Sequence, residues 1–408
     1  MNTYLQIAWK NLIRSGRRTV VTLIAIVVGI AMMVFTNGFN AGMTSQWGSS
    51  LINETDGHVK IHHVDFYKFG ISDREKVFIE NPDGLIAELR KSSHVTAVMS
   101  RTALAGLIGR DENSTTFYGA VNDLAEIDAV LPDHGKLVVE GRPLSGEDPN
   151  GVLIGRGLAR SLAAGIGDEL VILSSTIQGD QSSTLVHVRG LIRVKDNPQA
   201  EQSVLLGGLS DEMRIDLLDS GAGTTELVVR LDAEQNVKQV VDSLNRSFAS
   251  QGAPWIAEPW YSNRELSFLT AIFNGIGVTV TIVLSLIVSF IVSNAMLMSI
   301  FERIREVGSI RAIGADKRQI YGLFYLEYLI MTSLGGLLGL VAGALLITLG
   351  QHTGISFSDG IFAGVRPVLE IRNLLTSFLI PLAVAAGAVF FPVRSSCRMS
   401  VVDSLNYN

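Results

Sequence analysis

Phe268-LTAIFNGIGVTVTIVLSLIVSFIVSNAML-Met298 contains no charged residue. About 20 apolar residues suffice to cross a hydrocarbon core roughly 30 Å thick, so this run reads as a membrane-spanning helix with length left for tilt. Beyond it the chain turns polar over Ser299–Gln319, is apolar again from Ile320 to Leu349, and has a last apolar run from Leu374 to Phe391. Before it lies a long polar block, Asn40–Glu265. That block is preceded by the run Val20–Phe35, which sits in a charge-free stretch from Thr19 to Asn53. One soluble domain of 408 residues cannot bury four such runs. The expected fold is therefore a membrane α-helical protein with four transmembrane helices and a large α/β extracytoplasmic domain inserted between spans 1 and 2. The first run is longer than a signal-peptide core, and no A-x-A site follows it, which argues against a cleaved leader.

Lys and Arg near the span ends set the orientation. Lys10, Arg14, Arg17 and Arg18 precede the first span. Arg303, Arg305, Arg311, Lys317 and Arg318 lie between the second and third, and Arg394 and Arg398 follow the fourth. The loop between the third and fourth carries only Arg366 and Arg372. The N-terminus, the 299–319 loop and the tail are thus expected in the cytoplasm, with the 40–265 block and the 350–373 loop outside. The expected division is 1–39 (cytoplasmic helix and first span), 40–265, 266–298 (second span), 299–319 (cytoplasmic loop), 320–349 (third span), 350–373, 374–393 (fourth span) and 394–408.

The outer block holds 20 basic and 32 acidic residues, a net charge of −12, whereas the rest of the chain is +6. An acidic soluble part argues against nucleic acid as a partner. The single cysteine, Cys397, excludes an intrachain disulfide framework, so the block must be held by its own core. Within it, Pro82–Met99 and Ala233–Ile256 each read as an apolar-striped helix followed by a strand. Residues 137–194 read as short strands separated by glycine turns.

Several residue groups bear on function. The segment Phe301-ERIREVGSIRAIG-Ala315 places Arg303, Glu306, Ile310 and Ile313-Gly314 at helical spacing. An amphipathic helix there could press an apolar face on a partner, with Glu302, Arg305 and Glu306 pairing with its charges. Gly308 and Gly314 would permit close approach and a helix end. Gly335, Gly339 and Gly343 form a small-xxx-small row on the third span, packing either within the subunit or between subunits. Glu327, near the cytoplasmic end of that span, needs pairing or hydration, which suits an interfacial structural role or a translocation role. Phe39, Met43, Trp47 and Leu51 share one helical side, and Leu266, Phe268, Leu269 and Phe273 make an apolar face on the outer end of the second span. Together they either line a cleft open to lipid or pack on neighbouring protein. His58, His62, His63 and Asp65 lie on strand-like text and read as a strand-face group, so no metal site is expected. No Walker A loop occurs, since Gly135-Lys136 lacks the required spacing. The chain is accordingly expected to bind no cofactor and to catalyse nothing itself.

The 302–315 text resembles the E-x-x-R-E-[IV]-G-x-[LI]-R-A-[IL]-G-A signature of the permeases that include FtsX, MacB and the lipoprotein-releasing LolC and LolE. Trp9–Arg14 with Arg17-Arg18-Thr19, Leu153–Asp168, Phe324–Leu340 and Pro392–Leu405 are similar to other stretches of that family, although Ser400-Val-Val-Asp403 departs from its usual Asp-Pro-Val-Glu. Asn37-Gly38-Phe39, Gly57–Ile61, Trp260 and Asn263 lean toward the LolC/LolE branch. The resemblance implies the following picture: a permease of the bacterial inner membrane with a MacB-type periplasmic core domain, working by mechanotransmission; two permeases, identical or paralogous; two cytoplasmic ABC ATPase subunits holding ATP and Mg; and contact at Glu302, Arg303, Arg305, Glu306, Val307, Gly308, Arg311, Ala312, Ile313 and Gly314. The substrate implied is a lipoprotein leaving the outer leaflet of the membrane. Efflux of a peptide or small amphiphile, or FtsX-like regulation of a cell-wall hydrolase, are the alternatives.

Overall fold

The computed structural model describes residues 6, 10–11, 14, 16–69, 73–146, 148, 150–193, 200–208, 223–353 and 365–398. Trp9, Leu12, Ile13, the 354–364 part of the outer loop and the tail motif Ser400–Asp403 lie outside the described residues. In chain order the elements are α1 (Gly16–Ser50), a π turn (Leu51–Thr55), β1 (Val59–His63), α2 (Pro82–Leu89), β2 (Val95–Arg110), β3 (Asn113–Asn122), β4 (Val138–Gly141), β5 (Gly151–Gly155), α3 (Arg156–Leu162), β6 (Glu169–Ser175), β7 (Gln181–Ile192), β8 (Val204–Gly208), β9 (Glu226–Leu231), α4 (Val237–Gln251), β10 (Trp255–Pro259), α5 (Arg264–Glu302), α6 (Ile304–Ala312), α7 (Lys317–Thr353) and α8 (Ile371–Arg398), with single-turn helices between some of them. They divide into two compact units, Met1–Gln46 with Phe268–Asn408 and Trp47–Ser267.

The unit Trp47–Ser267 is built on one sheet of order β10-β1-β9-β2-β3-β8-β5-β7-β4, with β6 pairing β2 and β7. At Pro82–Met99 and Ala233–Ile256 the chain forms helix then strand, α2–β2 and α4–β10. The stripes Leu85, Ile86, Leu89 and Val237, Val240, Val241, Leu244 pack into one cluster with Val59, Ile61, Val98 and Val229. Proline in the first turn of α2 costs that helix no hydrogen bond. The strand-rich remainder closes around Leu104, Ile108, Val152, Ile154, Leu170 and Val186. Its strands alternate inward and outward, as β7 does from Thr184 to Ile192.

Four helices are long and apolar enough to cross a membrane: Gly16–Thr55, Leu266–Glu302, Arg318–His352 and Ile371–Arg394. In the unit that carries them, Ile26, Ile30 and Val34 of α1, Val288, Val292 and Met296 of α5, Phe324 and Tyr328 of α7 and Ala385 and Val389 of α8 form one core. Their other faces expose Val21, Ile24, Val28, Val283, Ile287, Phe290, Val341 and Leu345, the pattern of helices that face lipid rather than water. Helix α1 continues through Asn37-Gly38 and Gly42 to Ser50, carrying Phe39, Met43 and Trp47 on one continuous helix. Those glycines are not breakers but sites of close approach. A Cβ on Gly42 would lie 2.1 Å from the Arg366 carbonyl oxygen, and the Val368 N–H donates to the Gly38 carbonyl at 2.9 Å.

Candidate functional site: the turn between the second and third spans

Helix α5 ends at Glu302, the chain bends at Arg303, and α6 begins at Ile304. Gly314, with φ of 106°, ends α6 in a conformation that disfavours side chains. The Ala315 N–H returns to the Ile310 carbonyl at 3.2 Å and the Gly314 N–H to that of Arg311 at 3.0 Å, the paired bonds of a Schellman cap. Gln319 Oε1 accepts from the Asp316 N–H at 3.1 Å as α7 starts, one half of a capping box.

The bend is anchored by a buried ion pair. Arg303 Nη1 and Nη2 donate to Glu327 Oε1 and Oε2 at 2.9 and 2.6 Å. Arg303 also donates to the hydroxyl and the carbonyl of Ser299. The Asn11 amide reaches Glu327 Oε1 at 2.6 Å. Glu327 is 1% exposed, and the forked geometry engages both of its oxygens. The pair ties α7 to the end of α5.

One face of α6 is buried through Ile304, Val307 and Gly308. Arg303, Val307 and Gly308, expected among the partner contacts, are therefore turned into the chain's own bundle; the pull comes from Glu327 and from the apolar core around Met296 and Ile320. The outward face carries Arg305, Glu306, Ser309, Ile310, Ala312, Ile313 and Gly314, with Ile313 89% exposed. Glu302 pairs with Arg18 at 2.8 Å and Glu306 with Arg14 at 3.1 Å. These exposed pairs contribute roughly 0–1 kcal/mol each. They border an open groove lined by Asn11, Arg14, Arg17, Arg18 and Arg303. Sequence reasoning missed this groove. Its signal was the cluster of arginines before the first span, which the positive-inside rule had absorbed. Arg311 is half-buried.

A Cβ at Gly335, Gly339 or Gly343 would come within 2.9, 2.8 and 2.6 Å of Ile26, Ile30 and Val34 in turn. The glycine row thus packs against α1 of the same chain. On the stripes expected to line a lipid-open cleft, Met43, Trp47 and Leu266 are buried and Phe39, Leu51, Leu269 and Phe273 half-buried, while Phe268 is exposed. The first stripe does not stand open. Helical spacing identifies residues that share a side, not whether that side is covered, and the Trp260 ring packs within 2.6 Å of a Cβ placed on Gly48. His58, just before β1, and His62, on it, are buried. The Leu231 N–H donates to His58 Nδ1 at 3.3 Å, and His62 Nε2 lies 3.4 Å from Glu258. Among the described residues no three His, Cys, Asp or Glu side chains gather as a metal site would require.

Two protein-family descriptions match the chain: the MacB-like periplasmic core domain over residues 19–247 and the FtsX-like permease C-terminal over residues 265–401. The chain belongs to the MacB/FtsX family of ABC transporter permeases. An uncharacterized ABC transporter permease of Methanocaldococcus jannaschii is 23% identical over 98% of this chain and 96% of its own length. The ABC transporter permease YvrN of Bacillus subtilis is also 23% identical, over 100% of both. The macrolide export ATP-binding/permease protein MacB of Rhodopirellula baltica is 20% identical over 97% of this permease, which spans 60% of that longer protein. The periplasmic region of MacB from Actinobacillus actinomycetemcomitans is similar over 51% of this permease and 90% of that chain, with 15% identity and a TM-score of 0.35. Membership in this family implies a partner ATPase and a dimeric arrangement of permeases.

Proposed function

We propose that this permease works by mechanotransmission: ATP-driven closure of two partner ATPases pushes α6, and the spans carry that push to the outer domain. The observation that carries this reading is the outward ridge of Glu306, Ile310 and Ile313 on a helix whose other face is packed into the bundle. Exposed apolar side chains at the end of a short, anchored helix suit a partner contact. Anchoring through Arg303 and Glu327 makes the helix a lever on α5 and α7 rather than a loose loop. ATP and Mg belong to the ATPases, the membrane is the bacterial inner membrane, the outer domain lies in the periplasm, and the second permease is identical or paralogous.

For substrate, a lipid-anchored protein leaving the outer leaflet is the first reading, on the strength of the Asn37-Gly38-Phe39 and Gly57–Ile61 text. Export of a small amphiphile is the second, favoured by the MacB relatives named for macrolide export. The test is reconstitution of the permease with the ATPase that co-purifies with it. Glu306→Lys should weaken association at least tenfold, since a charge reversal at a tight contact costs several kcal/mol, with membrane insertion unchanged. Equal association would overturn the ridge as the contact. Release of a triacylated lipoprotein from the reconstituted complex supports the first substrate, and release of an amphiphilic macrolide without it supports the second.

A further inference from the structure

The unit Trp47–Ser267 contains a cavity of about 230 Å³ that the coupling mechanism does not use. It lies between two packing clusters of that unit that Leu124 joins. Ile127 and Leu131, packed with Met99 and Val228, line one side. Leu144 and Leu153, packed with Ile192, line the other, and Leu206 of β8 completes the wall. Protein interiors leave few voids larger than a water molecule. A cavity lined mostly by apolar side chains with a few fixed polar groups has the character of a small-molecule site.

The polar groups decide what such a molecule must carry. Arg101 Nε donates to Asn122 Oδ1 at 2.9 Å, and its other nitrogens reach Asp56 and the Thr55 carbonyl. Asp56 also accepts from Lys60 at 3.2 Å and Asn263 at 2.9 Å. That network is internally matched, and His134 differs from it. It is buried, lines the cavity, and holds Nδ1 2.9 Å from the Leu131 carbonyl oxygen. The Leu131 carbonyl, and Asp128 Oδ1 at 3.6 Å, only accept, so Nδ1 carries a proton, and a ring protonated there alone keeps Nε2 as an acceptor. Nε2 is buried and has no protein partner among the described residues. A buried acceptor without a donor is unfavourable, and the residue that carries it is one of those lining the cavity.

We propose that this cavity binds a small amphiphile carrying a hydrogen-bond donor, an alkyl amine or alcohol. Its apolar body lies against Leu131, Leu144, Leu153 and Leu206, and its N–H or O–H meets His134 Nε2. A carboxylate ligand is disfavoured because it offers an acceptor to an acceptor. This inference does not rest on the coupling reading.

The test uses the full chain in lipid nanodiscs and a photoactivatable diazirine analogue of hexylamine, with labelled peptides identified by mass spectrometry. Saturable labelling of the 127–153 segment is expected. Unlabelled hexylamine and hexanol should suppress it, with hexanoate needing at least tenfold more. Leu206→Trp fills the space from a half-buried position and should reduce labelling at least tenfold while leaving circular dichroism unchanged. Should that variant not fold, Val204→Phe makes the same test from the same strand. Labelling no greater than on the outer surface of β6 and β7, or labelling indifferent to the filling variants, overturns the proposal and leaves a water-filled space. Equal competition by hexanoate overturns the assignment of His134 as the acceptor.

Discussion

A carboxylate inside a helix bundle is tolerated only where a cation and further donors meet it. Glu327 has Arg303 on both oxygens and Asn11 on one. Removing one member of a buried pair strands the other, at about 3–5 kcal/mol. Glu327→Ala or Arg303→Ala should therefore lower the unfolding temperature of the solubilised permease sharply, and the joint change Arg303→Met with Glu327→Met should recover most of the loss. A double variant no better than the singles would contradict this. In the outer unit, His58 accepts a backbone N–H, and its burial, followed by the nearby Arg230 charge, pushes its pKa down to about 4. The folded value lies below the unfolded value of about 6.5. The neutral ring's contribution is thus whole above pH 6.5 and is lost as pH falls from there through 4, a change of about 3 kcal/mol. Unfolding of the outer unit followed by near-ultraviolet circular dichroism should weaken over that window, and His58→Asn should flatten the slope. An unchanged slope in the variant would assign it elsewhere. The exposed series Glu306, Ile310 and Ile313 was legible from helical spacing alone. The inward turn of Arg303 was not, because the partner that draws it, Glu327, lies on the next helix, and nothing in the spacing of 301–315 names it.

At the scale of elements, α7 lies against α1 through a ridge that needs glycine. Gly335, Gly339 and Gly343 recur every four residues, as do Ile26, Ile30 and Val34, so the two rows interdigitate along one line of contact. Gly339→Val would put a Cβ 2.8 Å from that of Ile30 and 3.1 Å from the Val27 carbonyl oxygen. Overpacking of this kind costs about 1–3 kcal/mol. A matching fall in thermal stability is expected, with no change for Gly387→Ala, where no neighbour lies within 4 Å. Equal effects of the two changes would remove the close contact as their cause. The period of the glycine row was readable in the text. Its partner was not, because small-residue spacing is the same for contacts within and between subunits. The same limit explains Met43 and Trp47. Their shared helical side was readable, but its burial depends on residues far along the chain.

For the whole molecule, the four apolar runs were legible because lipid imposes a length and a composition that soluble folds do not reproduce. The helix–strand units of the outer block were legible for the same local reason. The order of its sheet was not: β1 at residues 59–63 pairs with β9 at 226–231 and β10 at 255–259, well over a hundred residues later, and no local pattern encodes such a pairing. The proposed orientation predicts that a reporter fused after Gly151 reads extracytoplasmic and one after Asp316 cytoplasmic, and a reversal at either site contradicts it. The central claim, that the α6 ridge receives the push of the ATPase, is tested most directly by crosslinking. Cys397 is the single cysteine, so Cys397→Ser clears the background for Ile313→Cys on the most exposed side chain of the ridge. With a short bifunctional thiol–amine reagent, Ile313→Cys should join the permease to the ATPase subunit in native membranes, with a yield that changes between the ATP-bound and nucleotide-free states. Crosslinks that never include the ATPase, while a cysteine placed at Ser309 on the same helix captures other cytoplasmic protein, would contradict the account.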